Sequence, residues 1–313
     1  MNAVVLERNK MIGRKIARVM SCAGLSVLIA ETPEDALAHL AGSQVLAADA
    51  FDIDVVSRGL RDHEHLQGLL WTAEPMVRII RLLKDQPRLS NVLSRQSFEH
   101  APRHWELLMA ARRLVRPDSG APPLAGYLSW GCTGFKEAIT DSAQIAPAVG
   151  KVQDFIRRLG APGRISDMFG ELSHELLMNA IYAAPADDHG RARFAHDRKA
   201  KVTLSAKEGA LLRMASDGAL LCIQVTDPFG RLERRHVVGG LARGLKDGTM
   251  DHTGGGAGLG MVLCHNATTV LICDVVTGTR TEVTGFFDLD LNLREFRSKA
   301  KSLHFFHAKS GGE

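Results

Sequence analysis

Three places in the chain hold groups that could handle a charged ligand. The first is HTGGGAGLGMVL, His252 to Leu263, a glycine cluster that runs into an apolar stretch. Glycines there let backbone N–H groups approach a ligand, and a helix start behind them suits phosphate. The second is Glu175 with Asn179, one helical turn apart and therefore on one face. A carboxylate and an amide oxygen so placed can orient a water and complete a magnesium shell beside phosphates. The alternative is two polar residues on the solvated side of an amphipathic helix. The third is Asp227, at the end of ALLCIQVT and ahead of Pro228-Phe229-Gly230. A carboxylate buried at a strand end accepts from an exocyclic amine; a plain turn aspartate is the alternative.

Two common phosphate motifs do not fit the glycine cluster. A Walker A loop needs Gly-Lys-Ser/Thr, and the cluster has none. For a dinucleotide G-x-G-x-x-G, the final position is Leu259 counting from Gly254, or Met261 counting from Gly256. The stretch before it, RGLKDGTMDHT, is polar and loop-like rather than a strand.

The elements that must position these groups can be read from periodicity. Ser166–Ala184 reads as one helix with Ser166 as its cap, Asp167 in its first turn, and Leu172, Leu176, Ala180 and Ala183 as its apolar stripe. Leu221, Ile223 and Val225 alternate, which predicts a strand ending at Asp227. Asp217-Gly218 between two apolar runs predicts a hairpin turn. Upstream, SAQIAPAVGKVQDFIRRLG predicts a helix from near Pro147, and Tyr127–Trp130 a strand. Arg294–Ser310 mixes bases with Leu303, Phe305 and Phe306. It is expected to pack on its own domain, with docking onto a partner or the first domain as the alternative. AKSGGE is expected to fray.

The first half alternates differently. Strands are predicted at Ala3–Glu7, Leu25–Glu31, Gln44–Ala50, within His65–Glu74 and at Leu89–Arg95. Helical patterns fall at Met11–Cys22, Pro33–Leu40, MVRIIRLLK and toward the end of FEHAPRHWELLMAARRLV. Such alternation means a parallel sheet with helices on both faces. RPDSGAPP, Arg116 to Pro123, has linker composition. The expected domains are 1–115 and 124–313, with 116–123 between them.

Composition sets limits. With 313 residues, two domains are expected. A formal net charge of +4 is too slight for this length to argue for nucleic acid or an anionic membrane. No apolar run approaches the roughly 20 residues that span a bilayer. Five scattered cysteines with no C-x-x-C pair predict reduced thiols and a cytoplasmic protein. The 30 glycines against 5% aromatics are the compositional oddity, and the phosphate-cradle segment accounts for a cluster of them.

The three groups, in this order, resemble the GHKL ATP-binding superfamily of gyrase-type ATPases, sensor histidine kinases and anti-sigma serine kinases. Glu175-Leu176-Leu177-Met178-Asn179 is similar to its N-box, Asp227 to the start of its first glycine box, and Gly256-Ala257-Gly258-Leu259-Gly260 to its second. Gly278-Thr279-Arg280-Thr281 approximates its Gly-Thr strand. The resemblance covers about 135–293 and implies a C-terminal GHKL α/β sandwich that binds ATP or ADP with magnesium. It implies Asn179 as the magnesium ligand, Glu175 as the catalytic base and Asp227 as acceptor of the adenine amine. Gly256, Gly258, Leu259 and Gly260 would line the phosphates, and Thr281 the adenine. Gly230 stands in the first box one residue late, Asp-Pro-Phe-Gly for Asp-x-Gly. The ATP lid would be Arg231–Thr253, a loop with Arg231, Arg234, Arg235, Arg243 and Lys246 available to the phosphates. No histidine-bearing dimerisation helix precedes the box, and His174 reads as a surface or packing residue.

Residues 2–115 resemble the receiver domain of response regulators, a flavodoxin-like fold. Asp49, near the third strand end, is the candidate phosphoacceptor, with Asp52 close by and Thr72 after the fourth strand. Where receivers carry an acidic pair, this chain has Glu7-Arg8-Asn9; where they carry a lysine, it has Arg95. A degenerate receiver used for docking or dimerisation is therefore expected. Together the two resemblances imply a cytosolic signalling regulator. It would phosphorylate or sequester a partner signalling protein, with a homodimer as one possible assembly. A nucleotide-gated scaffold without catalysis and phosphotransfer through Asp49 are the alternatives.

Overall fold

A computed structural model of the chain describes residues 1–187, 189–245 and 259–309. They form two compact units, one built on Met1–Gly120 with Arg294–Phe306, the other on Ala121–Gly240 with the residues leading to Leu293.

The first unit alternates β1 (Asn2–Leu6), α1 (Lys10–Cys22), β2 (Ser26–Ala30), α2 (Pro33–Ala38), β3 (Val45–Asp49), α3 (Ile53–Asp62), β4 (Gln67–Thr72), α4 (Ile80–Asp85), β5 (Leu89–Ser94) and α5 (His104–Val115). The five strands pair in parallel in the order β2-β1-β3-β4-β5. That is the flavodoxin-like doubly wound order. Val4, Val5 and Leu6 are all fully buried, as a strand covered on both faces requires. Asn9 caps α1 by accepting from the N–H groups of Met11 and Ile12, and Ile12, Ile16 and Met20 turn inward at helical spacing. The stretch MVRIIRLLK is not one helix: a 3-10 turn over Met76–Arg78 precedes α4. Helix α3 has no counterpart in the sequence expectation, although its buried Val56 and Leu60 are one turn apart.

The second unit carries β6 (Thr133–Ile139), α6 (Ile145–Arg158), α7 (Gly163–Met178), β7 (Ala210–Ser216), β8 (Leu220–Asp227), α8 (Arg234–Gly244), α9 (Leu259–Asn266), β9 (Val270–Val276) and β10 (Arg280–Asp288). Its strands are antiparallel in the order β9-β10-β8-β7-β6. Helix α7 packs on α6, α9 and β8, and Phe169 of α7 meets Phe287 of β10 edge-on at 6.0 Å. Helices layered on an antiparallel sheet make this unit an α/β two-layer structure. Asp217-Gly218 forms the expected β7–β8 turn, with Gly218 at φ +93°.

Three local expectations do not hold. Tyr127–Trp130 is not a strand; a short 3-10 turn over Leu124–Tyr127 precedes it, and the strand lies at β6. Ser166 does not cap α7, which starts after Pro162 because that proline's extended backbone leads into the first turn. Ser166 is buried inside the helix, its hydroxyl directed at the Gln153 carbonyl oxygen at 3.3 Å. Arg234–Gly244 of the expected loop is helical.

After α10 (Leu293–Ser298), β11 (Ser302–Ala308) corrects the expectation for Arg294–Ser310. Leu303 and His304 pair antiparallel with Val92 and Asn91 of β5, so this segment extends the first unit's sheet. The contact is polar as well as apolar. The Ser302 hydroxyl accepts from the Ser94 N–H at 2.7 Å, and the His304 ring lies between Asn91 Oδ1 at 3.0 Å and Glu106 Oε1 at 2.9 Å. No helix among the described residues is long and apolar enough to cross a membrane.

Candidate functional site

Helix α7 does not end where its α-helical bonding ends. Asn179–Ala183 continues it as a single π-helical turn. Such turns insert a residue into a helix and re-aim the side chains beyond it, and they recur at functional sites. Glu175 and Asn179 stand on either side of this change, both half-buried. His174 beside them is exposed.

A residue that the motifs did not single out joins them. The guanidinium of Arg198 donates to Asn179 Oδ1 at 3.1 Å and lies 3.5 Å from Glu175 Oε1. Arg198 is carried by the segment between α7 and β7. That segment is pinned by the Tyr182 hydroxyl, which donates to the Ala200 carbonyl oxygen at 2.8 Å. Sequence spacing offers no signal for Arg198, because it belongs to no repeated pattern and approaches across a loop.

Asp227 ends β8 and is 7% exposed. Register places Thr281, the second residue of β10, directly opposite it. The two residues assigned to an adenine are thus neighbours across one strand pair. Burial pushes the Asp227 carboxyl up to about 6, against the pull of the Phe229 and Gly230 N–H groups and the Thr281 hydroxyl. The Phe229 N–H donates to Asp227 Oδ1 at 2.9 Å, while the Thr281 hydroxyl makes no hydrogen bond of good geometry.

Gly230 has a structural task. Its φ is +60°, and a Cβ there would lie 2.7 Å from the backbone nitrogens of Gly278 and Thr279. The Pro228-Phe229-Gly230 turn therefore packs backbone to backbone on the β9–β10 turn. Arg231, assigned to the lid, instead donates to the carbonyl oxygens of Ala184 at 3.1 Å and Gly190 at 3.0 Å. It ties the end of β8 to the end of α7. Arg235 pairs with Glu233 at 2.5 Å, and Arg243 is exposed on α8.

The glycine motif enters the described structure at its end. Gly256 and Gly258, with Lys246 of the lid, lie outside the described residues. Leu259 and Gly260 open α9. A Cβ at Gly260 would sit 2.5 Å from Cδ and 2.9 Å from Cγ of Glu175. A larger residue there would have to move the Glu175 carboxylate from the first turn of α9. Glu175 and Gly260, far apart in sequence, are brought together.

The oxygens of Glu175 and Asn179 have the chemistry that magnesium takes. Both already face the guanidinium of Arg198. As folded, the magnesium position fits poorly, because an arginine stands where the metal would bind.

The acidic residues of the first unit are likewise held by arginine. Arg95, after β5, lies 2.6 Å from Asp49 Oδ2 and 3.3 Å from Glu7 Oε2, all three side chains being buried. Arg8 forms a forked pair with Asp52. Burial raises the Asp49 carboxyl, opposed by the Phe51 N–H and by Arg95. The Thr72 hydroxyl is engaged with the Glu74 backbone, accepting from its N–H at 2.8 Å. Arg95, which stands after the fifth strand, thus touches two carboxylates at once.

No protein-family model and no curated protein matches the chain. Solved structures are similar to its N-terminal part. A response regulator receiver domain protein from Clostridium thermocellum shares 14% identity over 36% of this chain and 93% of that one, with a TM-score of 0.32. A signal receiver domain of an HD domain-containing protein from Pseudomonas fluorescens Pf-5 shares 16% over 36% and 93%, at 0.32. A response regulator from Thermotoga maritima shares 12% over 36% and 96%, at 0.32.

Proposed function

We propose that this chain is a signalling protein whose second unit binds an adenine nucleotide and whose first unit is a protein-docking module. The observation that supports it most is the buried Asp227 carboxylate, set opposite Thr281 at a strand end. A buried carboxylate acceptor suits the exocyclic amine of adenine. The first turn of α9, with Glu175 against Gly260, would take the phosphates on backbone N–H groups. This agrees with the GHKL-like order of motifs in the sequence.

Of the two forms this function can take, nucleotide-gated protein binding is favoured over phosphoryl transfer. Glu175 would have to leave its pairing with Arg198 to act as a base toward a serine, threonine or histidine of a partner. Gating an interface asks only that nucleotide bind. In the first unit, the pairing of Asp49 with Arg95 favours docking over phosphotransfer.

Equilibrium binding of a fluorescent ATP analogue to the full chain tests the nucleotide site. Asp227→Asn should weaken it about tenfold or more, the loss of a hydrogen bond to a charged group. Absence of saturable binding by the unsubstituted chain would overturn the proposal. Partner capture with and without ATP, followed by labelled γ-phosphate transfer, separates gating from kinase activity.

A further inference from the structure

We propose that Arg198 is the resident cation of this site and the phosphate ligand for a bound nucleotide, so that nucleotide binds without a divalent metal. The inference rests on the nucleotide site proposed above. The Arg198 guanidinium donates to Asn179 Oδ1 at 3.1 Å and lies 3.5 Å from Glu175 Oε1. Asn179 Oδ1 is the oxygen that would hold a magnesium ion, and Glu175 is the carboxylate that would act beside it. Magnesium bonds oxygen at about 2.0–2.1 Å in near-octahedral geometry. An ion at that distance from Asn179 Oδ1 would share the oxygen with a guanidinium already donating to it, cation against cation. Arginine does not escape such a conflict by losing its proton.

The placement of Arg198 is supported on several sides. Ala200, just beyond it, accepts from Tyr182 at the end of α7. Asp197, just before it, accepts from the Lys199 N–H at 3.0 Å. Arg231 braces the start of the same segment through Ala184 and Gly190. The Arg198 side chain remains 39% exposed, so a ligand can reach it. A guanidinium has five N–H donors in a planar fork, and those not directed at Glu175 and Asn179 match phosphate oxygens. The N-box pair then acts as a holder: it neutralises and aims an arginine instead of a metal.

The test compares affinity for a fluorescent ATP analogue in excess EDTA and in excess magnesium chloride, using the full chain. The unsubstituted chain should bind equally in both. Arg198→Gln should lose about tenfold or more in EDTA, from the missing charge-assisted hydrogen bonds, and regain affinity in magnesium. Arg198→Lys, which keeps the charge and loses the fork, should fall between them. Far-ultraviolet circular dichroism establishes that each variant folds. Binding by the unsubstituted chain that needs magnesium, or an Arg198→Gln affinity unchanged in EDTA, overturns this inference and leaves the nucleotide site standing. No binding in either condition overturns both.

Discussion

The Glu175 carboxylate lies against the backbone of Gly260, closely enough that a single added methyl group would displace it. This contact joins α7 to the first turn of α9 and makes one position depend on the size of another. Gly260→Ala should push the Glu175 side chain off Arg198 and cost the second unit about 1 kcal/mol or less, because the displaced atoms are the end of a flexible side chain. In a Glu175→Ala background the same substitution should cost much less. Urea unfolding of the four proteins in the cycle measures the coupling. Additive effects would mean that the contact carries no strain.

Asp227 should give the second unit a distinctive pH response. Its carboxyl is raised from 3.8 in the unfolded chain to about 6 when folded, because burial disfavours the charge. The folded protein therefore holds this proton more tightly. Its contribution is fully present below pH 3.8 and is lost as pH rises through about 6, by up to about 3 kcal/mol. Asp227→Asn should flatten that slope in unfolding measured across this range. Nucleotide affinity should run the opposite way, weakening below pH 6 as the acceptor carboxylate is protonated.

Arg95 touches two buried carboxylates, so its removal should be costly. Arg95→Ala should destabilise the first unit by about 3–5 kcal/mol, the penalty for an unpaired buried charge. The raised Asp49 carboxyl sets the direction with pH: its proton is held more tightly in the folded state, so the variant should suffer least in acid. Asp49→Asn in the same chain should recover part of the loss. Fluorescence of Trp71, fully buried in β4, reports the unfolding. The phosphotransfer alternative predicts a phosphate adduct on Asp49 after treatment with acetyl phosphate, read by mass spectrometry; the ion pair with Arg95 predicts none.

The pair of His304 and Glu106 should anchor β11 to the first unit. Burial opposes the charge on Glu106, yet the His304 ring and the Arg103 guanidinium outweigh it and hold the carboxyl below its usual range. A depressed folded value contributes stability above the unfolded value of 4.5 that is lost as pH falls through the folded one. His304→Leu should reduce this acid sensitivity and destabilise the first unit by about 1–3 kcal/mol, because Asn91 loses its partner while Glu106 keeps Arg103 at 3.0 Å. Thermal unfolding at neutral and acid pH separates the two effects.

Much of the first unit was legible because its strands are continuous apolar runs and its first helix carries an apolar stripe through Ile12, Ile16 and Met20. Helix α3 was missed: Val56 and Leu60 are thinly spread among Asp54, Arg58, Arg61 and Asp62, and no side-chain cap marks its start. In the second unit, spacing placed Glu175 and Asn179 on one helix face and alternation placed Asp227 at a strand end, while their roles came only with the resemblance to a family. That Thr281 faces Asp227 depends on strand register, and that Gly260 admits Glu175 depends on helix packing. Neither is written in local pattern. Arg198 and Arg231 were the least legible. Both act through loop backbone and side-chain contacts that only the folded chain creates.

The strand that borders β5 is separated from it by about two hundred positions, Asn91 meeting His304 across a separation of 213. During synthesis the first unit's parallel strands emerge early, but one flank of β5 then keeps its N–H and C=O groups bare while the whole second unit is translated. A ribosome adding roughly 5–20 residues each second would leave that flank open for ten seconds or more. An exposed strand edge invites pairing with other chains. The nascent protein is therefore most open to edge-to-edge pairing in this interval, which closes when Ser302–Phe306 arrives.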